Sequence, residues 1–437
     1  MSPEPLRLPS QLDLELAPQT PLESQVGGHA GVMSDSSGSL VIKPARAREV
    51  AFYQLIASSG SQNPLSRLKP FVPVFYGTLR YEGHNLSPDF TDGNREGKEQ
   101  VPESVVMENL SFDYTHPTIL DVKLGKVLYD ERAPPAKRAR MEKTAESTTS
   151  GETGIRLTGG RTWHHPSQTY ILTPKPYGKS ISPDQLPQGI ARIFPFPNDV
   201  ISPVLFPPST ALTSATDPST SPSDKIHSPS TPPTPISAVV LSSSQSDSQP
   251  PSPTYTNHAI SVMNMSRVLE ILLGHLDELI SVLERLEARF VGMSLLIVYE
   301  SDPDRLVTSL DRFEALQNKL AAKAIAKESL PPTPISPKQG WFDDGDEDDD
   351  EGEFDDEDSD DESDEDDDED DGRVADEKRA KRCPPVTMRL IDFVHSRLAP
   401  GEGPDEGVLF GLSTFRTLLE ERLEKARGMI DEISKHS

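Results

Sequence analysis

The chain has 437 residues, 42 prolines, only 34% hydrophobic residues and a formal net charge of −28, a balance that excludes one packed core along the whole length. A single cysteine, Cys383, excludes an intramolecular disulfide framework and any multi-cysteine zinc site, and fits a reducing compartment. No stretch approaches the roughly 20 apolar residues that span a bilayer, and the N-terminus lacks the basic and apolar regions of a secretory signal. The acidity is local: residues 343–371 hold 24 Asp or Glu in 29 positions, and without them 47 acidic residues stand against 43 basic ones.

Residues 1–25 are Pro-rich and read as a disordered tail. Gly27, Gly28, Gly31 and Gly38 precede a strand, GSLVIKPA, that carries Lys43, and Glu49 opens a short amphipathic helix six residues later. Protein kinases combine a glycine loop, a strand lysine and a helix glutamate around nucleotide phosphates, although these glycines do not fit GxGxxG. FVPVFYGTLRY reads as strand and turn, and Val105-Val-Met-Glu108-Asn109-Leu110 as an apolar strand ending in polar residues.

Pro117-Thr-Ile-Leu-Asp121-Val-Lys123-Leu-Gly125 is the most informative run. In a strand, side chains two apart share a face, so a carboxylate and an ammonium stand together. That pair suits phosphoryl transfer, the carboxylate orienting a hydroxyl and the cation meeting the charge on the moving group. On its own the spacing also fits a half-buried edge strand. Lys126, Arg132, Lys137, Arg138, Arg140 and Lys143 follow, as a cation cluster for a multiply phosphorylated ligand, a nuclear-import signal or a solvated loop. Thr149-Ser150-Gly151-Glu-Thr-Gly154-Ile-Arg156-Leu-Thr-Gly159 is small enough to let backbone approach a ligand or simply to turn.

Residues 196–256 are built of Ser, Pro and Thr, with proline-directed sites at Ser202, Ser228, Thr231, Thr234 and Ser252, and predict disorder. Apolar residues Val268, Ile271, Leu272, Leu276, Leu279, Leu283 and Leu286 predict a helix within 260–290, and MSLLIVYE a strand. Residues 302–385 read as a largely disordered insert, with room for a helix at 302–328. The acidic run reads as a solvated linker, a surface for basic nuclear proteins, or an autoinhibitory contact with the cationic site. Lys378-Arg-Ala-Lys-Arg382 is a second import candidate. VTMRLIDFVH then delivers Asp392 at a strand end, before a terminal helix.

These motifs, in this order, resemble the inositol polyphosphate kinase family. PxxxDxKxG at 117–125, TSxxxGxRxxG at 149–159, Ser294-Leu-Leu with Met293 where the family has a first serine, Ile391-Asp392-Phe393, and DxGxxxGL at 405–412 carry the resemblance, which is closest to the multikinase branch. It implies an α+β, two-lobed fold related to protein kinases and ATP-grasp enzymes. Residues 26–110 would form a nucleotide-binding lobe, and 111–195, 257–301 and 386–437 a substrate- and metal-binding lobe. It implies ATP and Mg²⁺ as cofactors and transfer to hydroxyls of inositol tris- and tetrakisphosphates. Lys43, Glu49 and backbone around Glu108 and Leu110 would hold ATP, and Asp392 its metal. Asp121 would orient the hydroxyl, Lys123 would meet phosphates, and Lys137, Lys143 and His395 would bind substrate. A hexakisphosphate kinase and a non-catalytic acidic nuclear scaffold are the alternatives. The expected protein is a monomer of nucleus and cytoplasm, with soluble inositol polyphosphates as partners and no direct nucleic-acid binding.

Overall fold

The computed structural model describes residues 19–27, 31–80, 103–201, 255–256, 260–328 and 383–436. The proline-directed sites, the acidic run and residues 378–382 lie outside the described residues.

The first sheet is antiparallel, with strands β1 (Thr20–Pro21), β2 (Met33–Ser34), β3 (Leu40–Ala45), β4 (Phe75–Arg80) and β5 (Glu103–Glu108) in the order β1-β2-β3-β5-β4. On β3, Leu40 and Ile42 turn to one face and pack with Leu79 and Val106, which sends Lys43 to the other. Helix α1 (Ala47–Ala57) follows at once and buries Val50, Phe52, Tyr53 and Ile56, a stripe at helical spacing. Residues 19–25 correct the expectation of a loose tail running to 25. Thr20 and Pro21 pair with Ser34 and Met33, and the Leu22 amide donates to Val32 O, so this stretch satisfies its backbone in the sheet.

The second sheet holds β6 (Pro117–Leu124), β7 (Ile155–His164), β8 (Thr169–Thr173), β12 (Ser294–Glu300) and β13 (Val386–Ile391), antiparallel in the order β13-β12-β6-β7-β8. The strand carrying Asp121 and Lys123 is therefore central, not an edge. Leu120, Val122 and Leu124 enter the main core, and the charged pair occupies the opposite face. Between β6 and β7, the basic segment forms α2 (Pro135–Glu146), followed by the short α3 (Thr149–Thr153), and not the solvated loop that is one of its readings. After β8 come α4 (Lys175–Ser180) and α5 (Leu186–Ile193).

Helix α6 (Val262–Leu283) begins at Ser261, whose hydroxyl accepts from the Asn264 amide, and buries Val268, Leu269, Leu272, Leu276 and Leu279. Each fully buried leucine contributes about 1.5–3 kcal/mol, which makes this seam a principal support of the core. Helix α7 (Pro303–Glu328) fills the stretch where the sequence leaves room for a helix: Leu306 and Leu310 are buried, and Arg267 of α6 pairs with Asp311 and Glu314. The terminal helix α8 (Glu406–His436) packs along α6.

Two short antiparallel pairs finish the frame. Strands β9 (Val200–Ile201) and β10 (Tyr255–Thr256) join the ends of the Ser/Pro-rich insert, and β11 (Ala288–Val291) pairs with β14 (His395–Leu398). Beyond the acidic insert, Cys383 O accepts a hydrogen bond from Arg312 of α7, the helix that precedes the insert.

Candidate active site

Three separate stretches of chain meet at Lys43. Its ammonium lies 2.6 Å from Glu49 Oε1, at the first turn of α1, and 2.5 Å from Asp392 Oδ1, just beyond β13. Asp392 has φ +69°, a left-handed conformation that turns the chain as soon as the strand ends. Burial works against the Lys43 charge, but Asp392 and Glu49 outweigh it and hold the pKa above that of a free lysine. The lysine is thus a fixed cation.

Asp121 is 4% exposed. The register between β6 and β7 slips after the Asp121–Gly159 pair, and this bulge places Thr158 beside the carboxylate. Thr158 donates to Asp121 Oδ1 at 2.6 Å and to its main-chain O at 3.0 Å. Burial pushes the carboxyl upward, Thr158 and Ser294 draw it back through hydrogen bonds, and Asp392 adds to the rise. The result is a stronger base than a free aspartate, held by donors on both neighbouring strands.

Lys123 donates to Gly292 O at 2.7 Å. Burial lowers its pKa, against the attraction of Asp392 and Asp121. Arg156 of β7 stands directly across from it in register and is 5% exposed, with no hydrogen-bond partner for Nε. A half-buried and a buried cation side by side, the latter incompletely satisfied, form a receptor for an anion.

A cavity of about 130 Å³ is shared by Lys43, Asp121 and Asp392. Lys43, Asp121 and Asp392 line its polar end, and Val41, Met107, Leu110, Val298 and Ile391 its apolar end. The segment 22–27 lies along it: a Cβ at Gly27 would stand 2.3 Å from Asp121 Oδ2, and one at Gly159 would stand 1.8 Å from Val26 O. Both glycines let this strap rest on the sheet. A wider cleft of about 790 Å³ lies beyond His395 and Gly125. Its cations are largely committed: Arg397 to Glu131 and Glu402, Arg289 to three main-chain carbonyls, and Arg48 to Asp130.

A family model described as inositol polyphosphate kinase matches residues 104–201 and 252–420, which contain Asp121, Lys123, Arg156 and Asp392. The chain belongs to the inositol polyphosphate kinase family. It is 27% identical over 422 residues to a Saccharomyces cerevisiae protein named inositol polyphosphate multikinase, covering 90% of this chain and 95% of that one. A Schizosaccharomyces pombe protein of the same name is 29% identical over 175 residues, 39% of this chain and 61% of that one. The human protein of that name is 25% identical over 185 residues, covering 40% of each chain.

In this inositol polyphosphate kinase the residues expected to act together divide into those the fold gathers and those it does not. Lys43, Glu49, Asp121, Lys123 and Asp392 converge. Glu108 and Leu110 line the smaller cavity, but Glu108 is engaged with Val74, donating its amide to Val74 O and accepting from Val74 N. Lys137 is half-buried and near enough to His395 to lower its pKa. Lys143 is exposed, and six residues along a helix place it about 240° around from Lys137, on another face. Met293 is buried in the core, so of these two motif positions only Ser294 offers a hydroxyl to Asp121, beside that of Thr158.

The glycines of the 149–159 motif allow close packing within the protein. Gly154, at φ +70°, meets Gly411 of α8 backbone to backbone, and a Cβ at Gly411 would stand 2.4 Å from Gly154 O. Gly159 receives the 22–27 strap. Arg156 and Thr158 sit inside the motif already noticed, but a charged residue in a strand of mixed pattern gives no sign that it lies opposite Lys123. That fact depends on register.

Proposed function

We propose that this inositol polyphosphate kinase is a multikinase, transferring the γ-phosphoryl group of ATP to hydroxyls of inositol tris- and tetrakisphosphates. The observation that carries the reading is the meeting of Lys43, Asp392 and Asp121 at one end of a cavity whose other end is apolar, with Lys123 and Arg156 on the adjoining sheet face.

The base of ATP occupies the apolar end, by Leu110 and Met107, and its phosphates point to Lys43. Asp121 accepts the proton of the attacking hydroxyl, aided by its raised basicity, while Thr158 and Ser294 fix the carboxylate. Lys123 and Arg156 hold phosphates of the inositol ring, with Lys137 and His395 at its far side. Among the described residues no group of three or more His, Cys, Asp or Glu side chains forms a metal cage. Asp392 at the phosphate end suits Mg²⁺ instead, which is held through one or two carboxylates together with nucleotide phosphates. Bound there, Mg²⁺ would neutralise charge on the phosphates.

Among the described residues no helix is long and apolar enough to cross a membrane, in keeping with soluble inositol phosphates as substrates. The basic run 378–382 supports entry to the nucleus from the cytoplasm, and the acidic run supports contact with basic nuclear proteins. The test is incubation of the purified chain with radiolabelled ATP and single inositol phosphates, with products separated by chromatography. Tris- and tetrakisphosphates are expected to gain phosphate. Pyrophosphate formation from the hexakisphosphate, with no turnover of the trisphosphate, would replace this reading by that of a hexakisphosphate kinase.

A further inference from the structure

Glu49 and Arg48 are neighbours on the first turn of α1, and each reaches a different rung of the site. Glu49 meets Lys43, which meets Asp392. Arg48 meets Asp130, which meets His395, three residues after Asp392: Arg48 Nη1 lies 2.7 Å, and His395 Nδ1 3.1 Å, from the same oxygen, Asp130 Oδ2. The second rung parallels the first, with the charges arranged around a carboxylate instead of an ammonium.

Asp130 is itself held. Its other oxygen accepts the Arg132 amide at 2.6 Å, so the carboxylate has one orientation. An ionised carboxylate only accepts, so the His395 nitrogen facing it must carry the proton. Nε2 has no protein partner among the described residues, and the ring lines the wide cleft beyond Gly125. Asp130 is kept ionised, its pKa held below that of a free aspartate by the Arg132 amide, His395 and Arg48 against the opposing effect of burial. The groups facing His395 are Asp130, Lys137, Arg46 and, through Asp130, Arg48.

We infer that Asp130 is a positioning residue for substrate binding: it fixes the ring and tautomer of His395 so that Nε2 is presented to a phosphate or hydroxyl of the inositol substrate. Arg48 couples that setting to α1, the helix that also orients Lys43. The inference rests on the placing of His395 against substrate in the proposed function. Neutral histidine bound by a carboxylate at one nitrogen offers an acceptor at the other, and a charged one offers a second donor. In both states the direction of Nε2 is set by Asp130.

The test uses Asp130→Ala, Asp130→Asn, His395→Ala and the double variant Asp130→Ala/His395→Ala in the full chain. In Asp130→Ala, Arg48 is exposed enough to be solvated, and unfolding temperature and KM for ATP should stay near those of the parent. KM for inositol trisphosphate should rise about tenfold with little change in kcat, as expected for a group that orients a ligand-binding histidine. Imidazole ¹⁵N spectra should lose the signature of an Nδ1-protonated ring at His395, and Asp130→Asn should show an intermediate loss. The double variant should be no worse than His395→Ala. An unchanged tautomer and KM in Asp130→Ala and Asp130→Asn, with His395→Ala impaired, would overturn this inference alone. So would a full Asp130→Ala effect persisting without His395. An unimpaired His395→Ala would overturn the substrate role of His395 and this inference with it.

Discussion

Lys43→Met separates the structural from the catalytic share of the site. The Lys43 side chain is 17% exposed, and its ammonium sits between Glu49, whose side chain is 1% exposed, and Asp392. Methionine retains the stem and its packing but leaves the Glu49 carboxylate buried without a counter-ion. Breaking a buried pair from one side costs about 3–5 kcal/mol. For a folded body of this size each kcal/mol moves the melting temperature by roughly 2–4 °C, so a fall of about 6–20 °C is expected. The loss should shrink at low pH: the Glu49 pKa is already raised, chiefly by burial against the opposing pull of Lys43, and without that lysine it rises further. A carboxyl raised in the folded state destabilises only while ionised, so the penalty is present above its folded pKa and relieved below it. Adding Glu49→Gln should restore most of the melting temperature and none of the turnover, because the phosphate cation is still missing. Calorimetry across pH, with initial rates on inositol trisphosphate, reads both. A single variant that melts with the parent, or a double variant that recovers turnover, would refute the reasoning.

Three further outcomes follow from the same geometry. Asp121→Asn should keep the fold and lower kcat by about 10²–10⁴, the usual worth of a general base; in the parent, the acidic limb of the kcat profile should fall at a pH above the 3.8 of an ordinary aspartate, with activity lost as the pH drops. Gly159→Ala would drive a methyl into Val26 O and displace the strap, so KM for ATP should rise about tenfold, read from ATP titrations; an unchanged KM would mean that the strap does not shape the nucleotide cavity. Arg156→Gln should raise KM for inositol trisphosphate about 10–100-fold with kcat less affected, as for loss of a charge-assisted hydrogen bond, and steady-state kinetics decide it.

Much of the fold was legible because its signals are local. The alternation in Leu40–Ala45 and the heptad-like leucines of Val262–Leu283 declare strand and helix within a single window. Lys43, Asp121 and Asp392 were legible because each stands on or just past a strand within a short motif, and the motifs occur together in one order. Arg156 opposite Lys123 and Thr158 in a bulge beside Asp121 were not, since both follow from strand register, and nothing near them in the chain encodes it. The strap at 22–27 escaped notice because its Pro-rich surroundings suggest a tail, whereas its partner is a glycine more than 130 residues away. Lys143 shows the converse: a basic residue in the right segment whose helical phase turns it from the site.

The closure of the acidic insert between α7 and Cys383 has a consequence for how freely that insert can vary. Because Arg312 and the β12–β13 pairing anchor the framework on either side of the insert, the entropy of closing a flexible chain between them would grow only with the logarithm of its length. Doubling or halving the stretch changes folding stability by only about 0.6 kcal/mol. The kinase frame is therefore nearly indifferent to how many residues are spliced in at that point. Lengthening or shortening the acidic segment should therefore leave the melting temperature of that frame nearly unchanged.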